Sequence, residues 1–213
     1  MLMVEKVLNG KLFEYCYFAH DDKDKTCICI DPGYNAETIM RYIEEKEFVV
    51  DTIFLTHAHF DHMLSCKNIQ DKFDCKIYIS SDDEKILYDA DKNYSVIIHK
   101  YDFDKLNITS NVHDDEKINI IGYDITCIST PGHTLGGMSF YIESEKTLFS
   151  GDTLFKDTFG RVDLYGGNYD SIRNSIIHKL FLLPDDTIVY PGHGDATSIG
   201  YEKINNEILR GVQ

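Results

Sequence analysis

A chain of 213 residues with 43% hydrophobic side chains can bury a sizeable core, and its length fits one large domain spanning 1–213. Its formal net charge of −15 argues against a nucleic-acid backbone or an anionic membrane surface as partner, because clustered Lys and Arg hold both. No stretch approaches the roughly 18 consecutive apolar residues of a membrane span, and residues 1–6 lack the apolar core of a secretory signal, so a cytoplasmic location is expected.

Residues 4–31 read as three strands. Residues 12–18 and 26–31 are rich in aromatic and branched side chains, and the polar breaks Asn9-Gly10 and 20–25 separate them. The run Asp21-Asp22-Lys23-Asp24-Lys25 reads as a solvated hairpin tip with His20 on the surface beside it. Asp31-Pro32-Gly33 reads as a turn. Asn35 can cap a helix over 36–47, with Ile39, Met40, Ile43 and Phe48 as its apolar stripe. A strand at 52–55, a histidine-rich loop, a helix over 62–72, a strand at 76–80 and a helical turn or two over 82–89 follow. The polar, turn-rich segment 90–117 is expected to form a lid or surface segment, with His99 and His113 exposed. Strands return at 118–121, 124–129, 137–143 and 146–150. A glycine-bearing loop, an amphipathic helix over 169–182, a strand at 187–190 and a helix over 199–209 close the chain. Cys16, Cys27, Cys29, Cys66, Cys75 and Cys127 form no Cys-x-x-Cys pair and read as reduced, buried small side chains. This order of strands and helices suggests sheets covered by helices.

Chemistry concentrates in Thr56-His57-Ala58-His59-Phe60-Asp61-His62, which packs three of the nine histidines and an aspartate into six positions. Imidazole and carboxylate are ligands that zinc and similar metals take. Three more candidates stand in Gly or Pro turns at strand ends: His133 after Thr130-Pro131-Gly132, Asp152 after Ser150-Gly151, and His193 after Pro191-Gly192. In layered α/β folds a rigid sheet positions such residues and the loops leave them open. Any one of them alone reads equally well as a capping or turn residue. Together with the histidine-rich loop they point to a metal site.

These four motifs resemble the ligand motifs of the metallo-β-lactamase superfamily, in that family's order and across nearly the whole chain. Gly151-Asp152-Thr153-Leu154-Phe155, followed by Gly160-Arg161-Val162-Asp163, is similar to the glyoxalase II-like (hydroxyacylglutathione hydrolase-like) hydrolases, and Asp91-Lys92-Asn93-Tyr94-Ser95 adds to the likeness. The resemblance implies an α/β fold, a four-layer αββα sandwich with the metals at one edge between two sheets. It implies two divalent ions, zinc with iron or manganese as alternatives. His57, His59 and His133 would hold one ion; Asp61, His62 and His193 would hold the other; Asp152 would bridge them. His57 and His59, at i and i+2 on an extended loop, can point the same way. The activity implied is hydrolysis of a small thioester of the S-lactoylglutathione type. A water between the ions, its pKa lowered to about 7, attacks the carbonyl, and Asp61 is the catalytic residue that orients it and takes its proton. Arg161 is the candidate for binding a substrate carboxylate, with a salt bridge to Asp163 as the competing reading, and Asn93 is the candidate for a contact from the lid. The partner implied is a small acyl thioester or glutathione-like thiol. Only 20 residues follow His193, so the C-terminal helical domain of full-length glyoxalase II is missing and the short, single-domain form fits better.

Other readings use the same residues. A persulfide dioxygenase would bind one iron through His57, His133 and Asp152, a facial triad nested in the larger set. A lactonase, another acyl hydrolase or a β-lactamase shares the motifs. A nuclease is disfavoured by the −15 charge. A metal-binding scaffold without catalysis is disfavoured because all seven candidate ligands are present.

Overall fold

Side chains alternate across a strand, so a strand that is apolar on both faces must be covered on both. The computed structural model, which describes residues 1–98 and 105–210, shows what covers each face. One mixed sheet runs β1 (Leu2–Asn9), β2 (Glu14–Asp21), β3 (Thr26–Ile30), β4 (Val49–Phe54), β5 (Lys76–Ser80) and β6 (Ser110–Val112), in that spatial order. The second is built from β7 (Lys117–Ile120), β8 (Tyr123–Ser129), β9 (Met138–Ile142), β10 (Thr147–Gly151), β11 (Ile188–Pro191) and β12 (Thr197–Ser198), also neighbour to neighbour.

In β3, Cys27 and Cys29 face outward onto Ile39 and Ile43 of α1 (Ala36–Lys46) and Ile69 of α3 (Cys66–Phe73). Ile28 and Ile30 face inward, where they meet Phe54, Phe140 and Phe149 between the sheets. On the far side, Ile128, Leu148 and Val189 pack on Ile172 and Ile176 of α4 (Tyr169–His178) and Ile199 of α5 (Ile199–Asn205). Three apolar layers between two sheets and two helical faces make the αββα sandwich. The parallel pairs β3–β4 and β10–β11 turn their C-terminal ends to one edge, where the chemistry-bearing loops leave the sheets. Among the described residues no helix is long and apolar enough to cross a membrane.

Tertiary contacts redraw some expected elements. The helix expected over 62–72 is two: α2 (Phe60–Met63) and α3. It breaks at Ser65, whose N–H donates to the Pro32 carbonyl at 3.0 Å and whose Oγ donates to that of Gly33 at 2.5 Å. The helix from Tyr169 stops at His178, where Lys179 adopts φ −127°, and the closing helix stops at Asn205. Asn206 donates its side-chain amide to the carbonyls of Phe155 and Thr158, and a short 3-10 turn, Glu207–Arg210, follows in place of more α-helix. The polar segment after 90 contains β6, which pairs in parallel with β5 as the sheet edge. The expected exposure of His20 is wrong. β2 extends to Asp21, which buries His20 against Phe48 with ring centroids 4.9 Å apart, and Nδ1 lies 2.7 Å from the Asp21 carbonyl. His113 is exposed, while His99 lies outside the described residues. All six cysteines are buried and free.

Candidate metal centre

β4 delivers the loop carrying His57 and His59, and α2 begins at once with Phe60, so Asp61 and His62 sit on its first turn. Loops after β8, β10 and β11 bring His133, Asp152 and His193 to the same edge. Gly151, at φ +50°, lets that turn close on Thr56; a Cβ there would stand 2.3 Å from the Thr56 Oγ1.

Two groups of ligand atoms result. Those of His57, His59 and His133 lie within 4.8 Å of one another, as do those of Asp61, His62 and His193. Asp152 reaches both: Oδ2 is 3.5 Å from the Nε2 of His133 and of His193, and Oδ1 is 3.5 Å from the Nε2 of His62. Asp61 Oδ2 is 3.6 Å from His193 Nε2. These gaps are long for hydrogen bonds. They match the roughly 3.3–3.5 Å between ligands of a tetrahedral ion with bonds of about 2.0–2.1 Å. The Nε2 atoms of His57 and His62 and Oδ1 of Asp152 are buried without a hydrogen-bond partner, while His59 turns its Nδ1 to the group, 2.9 Å from His133 Nε2. Buried polar atoms need partners, so this donor set fits a divalent metal.

The opposite ring nitrogens are tied down. Asp31 accepts the Thr56 N–H at 2.7 Å and the Thr56 hydroxyl at 2.6 Å, and it lies 2.9 Å from His62 Nδ1. The Thr56 Oγ1 is in turn 3.0 Å from His57 Nδ1. One carboxylate thus orients two imidazoles through their outer nitrogens. Asp31 also lies near His57 and His62 as a third possible ligand group, but its oxygens are already committed behind the rings. The Arg161 carbonyl is 2.8 Å from His133 Nδ1, and the Leu12 carbonyl is 3.1 Å from His193 Nδ1. Asp83 fastens the two loops of the first group: Oδ2 accepts the Ala58 N–H at 2.9 Å and Oδ1 that of Gly136 at 2.7 Å. Sequence reasoning passed over Asp31 as a turn residue and Asp83 as part of a helical turn. The one available signal was an acid placed directly after an apolar strand.

Burial and charge separate the two groups. Burial pushes His57 well below the usual imidazole range, and the neighbouring histidines push further; burial and His133 take His59 down to about 3. Both are neutral and ready as ligands. Burial opposes charge on His62 as well, but Asp152, Asp61 and Asp31 overcome it and hold the pKa well up. His193 is raised against burial by Asp152 and Asp61. Burial also works against the Asp61 carboxylate, yet His62 and His193 hold it well below the usual range.

In front of the centre lies a cavity of about 660 Å³ that includes His59, Asp61, His133, Asp152 and His193 in its wall. Arg161 lines it too and donates Nε and Nη2 to the two oxygens of Asp163, at 2.7 and 2.8 Å, so the expected competitor for this side chain is present. Asn93 does not face the cavity. It is fully buried, donates to the Leu87 carbonyl at 2.7 Å and accepts the Ser95 N–H at 2.9 Å, because its short amide closes the turn that carries Tyr94. The expected substrate contact by Asn93 is therefore replaced by a structural one.

Comparison with known proteins agrees with this geometry. Residues 9–193 match the family model of the Metallo-beta-lactamase superfamily. The chain is 35% identical over 188 residues to the "Probable metallo-hydrolase YqgX" of Bacillus subtilis, covering 88% of this chain and 89% of that one. It is 33% identical over 194 residues to the "Hydroxyacylglutathione hydrolase GloC" of Haemophilus influenzae, with 88% and 89% covered. Among solved structures, the BLEG-1 B3 metallo-beta-lactamase is similar with a TM-score of 0.91 and 31% identity, covering 98% of this chain and all of the other.

Proposed function

Because the chain belongs to the metallo-β-lactamase superfamily, we propose that it is a metal-dependent hydrolase that cleaves small acyl thioesters. Asp152, within reach of both ligand groups at the floor of the cavity, carries this reading. His57, His59 and His133 would hold one divalent ion, Asp61, His62 and His193 a second, and Asp152 both. Zinc suits the imidazole-rich set, with iron or manganese as alternatives. Bound there, such ions supply Lewis acidity, which lowers the pKa of water to about 7 and polarises a carbonyl.

The chain's own groups do the rest. Asp61 lines the cavity and stays ionised, so it can orient an attacking water and receive its proton. Asp31, Thr56 and the carbonyls of Arg161 and Leu12 fix the imidazole planes. The cavity walls would hold the substrate beside these residues. Cleavage of a thioester bond, whatever the thiol, is supported by the 33% identity to the relative named a hydroxyacylglutathione hydrolase. The iron dioxygenase alternative needs only His57, His133 and Asp152. That triad is nested in the same seven residues, so metal content and oxygen uptake separate the two readings. Six free, buried cysteines support a reducing, cytoplasmic setting.

The test is metal content measured beside a panel of acyl thioesters, a lactone and a β-lactam, with oxygen uptake on a persulfide as control. Two ions per chain and thioester turnover are expected, both lost together in Asp152→Ala. Oxygen consumption with one iron per chain, or full metal and turnover in that variant, would overturn the proposal.

A further inference from the structure

Tyr94 stands at φ +62°, a left-handed conformation that bulky side chains rarely adopt. Its neighbours impose it. The Asn93 side chain bridges Leu87 and Ser95, and its carbonyl accepts the Phe60 N–H at 3.0 Å, tying this turn to the start of α2 beside Asp61. Strain that the surroundings enforce at the wall of a reactive cavity invites a functional reading. The effect is to set the Tyr94 ring edge-on to His59, with centroids 5.4 Å apart, as part of the cavity lining. The Tyr94 hydroxyl accepts the Tyr165 N–H at 2.6 Å, which leaves its own proton to donate. No acceptor for that proton lies among the described residues. Arg161 lines the same cavity.

Among the described residues this polar corner carries little net charge. Both oxygens of Asp163 are engaged with Arg161. Lys92 and Lys156, next to the lining residues in sequence, are likewise matched, by Asp89 at 2.7 Å and by Asp195 at 3.6 Å. Lys11 lines the adjoining cavity of about 380 Å³ rather than this one. Ile97, Phe155, Phe159 and Leu164 add apolar surface to the same cavity. A corner with spare donors and a compensated charge suits an uncharged oxygen acceptor. It offers little to the carboxylates of a glutathione arm.

We infer that Tyr94, together with Arg161, is a substrate-binding pair that takes an uncharged oxygen acceptor, such as an amide carbonyl, on the thiol arm, so that the site selects neutral thioesters over glutathione conjugates. This rests on the thioester-hydrolase reading and names its substrate class.

The test uses the metal-loaded protein and one acyl group on two thiols, N-acetylcysteamine and glutathione. Both thiols carry an amide carbonyl on the arm, but the carboxylates beside that of glutathione meet no free cation among the described residues of this corner and keep it from seating. The neutral thioester is therefore expected to have a KM about tenfold lower. Tyr94→Phe keeps the ring. It is expected to raise that KM about tenfold, with kcat and metal content unchanged and the glutathione KM within about twofold. A lower KM for the glutathione thioester, or an unchanged neutral KM in Tyr94→Phe, overturns the inference. Calorimetry with S-alkyl thioethers of the same two thiols reads the preference without turnover. The same order and the same loss in Tyr94→Phe are expected, and a reversed order or an unaffected affinity overturns the inference. If no thioester turns over while this binding pattern holds, the hydrolase reading falls and the binding pair stands.

Discussion

Replacing Asp83 with alanine separates metal positioning from simple stability. Its carboxylate accepts two buried backbone N–H groups, from Ala58 at 2.9 Å and Gly136 at 2.7 Å. Ala58 lies between His57 and His59, and Gly136 lies three residues after His133. Leaving a buried N–H without an acceptor costs about 1–3 kcal/mol each. Burial raises the Asp83 pKa, with the bonds from Ala58 and Gly136 acting in opposition. Removing that buried charge therefore gives some energy back, and the net loss should be roughly 2–4 kcal/mol. That lies within the roughly 5–15 kcal/mol by which domains are stable, so the variant should still fold. Loss of a residue that positions ligands typically weakens metal binding about 10–100-fold. Urea unfolding of the metal-free protein reads the first effect, and competitive metal titration reads the second. Asp83→Asn keeps one acceptor oxygen and should fall between wild type and alanine on both. A metal affinity within twofold of wild type in a destabilised Asp83→Ala would refute the claim that this clasp sets the His57–His59–His133 geometry.

Two further outcomes follow from the site. Because Asp152, Asp61 and Asp31 hold His62 charged against burial, and Asp152 and Asp61 do the same for His193, metal entry there must expel protons. Affinity at that group should fall as pH drops, about tenfold per pH unit for each proton displaced, whereas His57 and His59 are already neutral. Metal titrations at about pH 8 and 6 should therefore lose the second ion more steeply than the first, and parallel losses would contradict the charge assignment. At Gly192, an added Cβ would stand 2.2 Å from Asp152 Oδ1 and 2.7 Å from His62 Cε1. Gly192→Ala should cost about 1–3 kcal/mol of stability from overpacking and displace the residue that joins the two groups. Thermal unfolding and metal content check it, and full occupancy by two ions would show that the turn yields without moving Asp152.

The sequence by itself determined the layers and the candidate ligands. Strands apolar on both faces, such as Cys27-Ile28-Cys29-Ile30, require cover on both sides, and that requirement is local and periodic. The candidate ligands were legible for a related reason. Imidazole and carboxylate have few roles at the tight end of an apolar strand, and His57, His59, Asp61 and His62 lie within one loop. What tertiary structure alone decided depends on partners far along the chain. Asp31 meets Thr56 and Asp83 meets Ala58, each across 25 residues, and Asp83 meets Gly136 across 53. Ser65 breaks a helix because the Pro32 and Gly33 carbonyls come to it. Asn93 was expected to touch substrate from the lid. The packed turn uses its side-chain amide internally and presents Tyr94 instead. A side chain's chemistry can be read from its identity, but the atoms that compete for that chemistry are set by the fold.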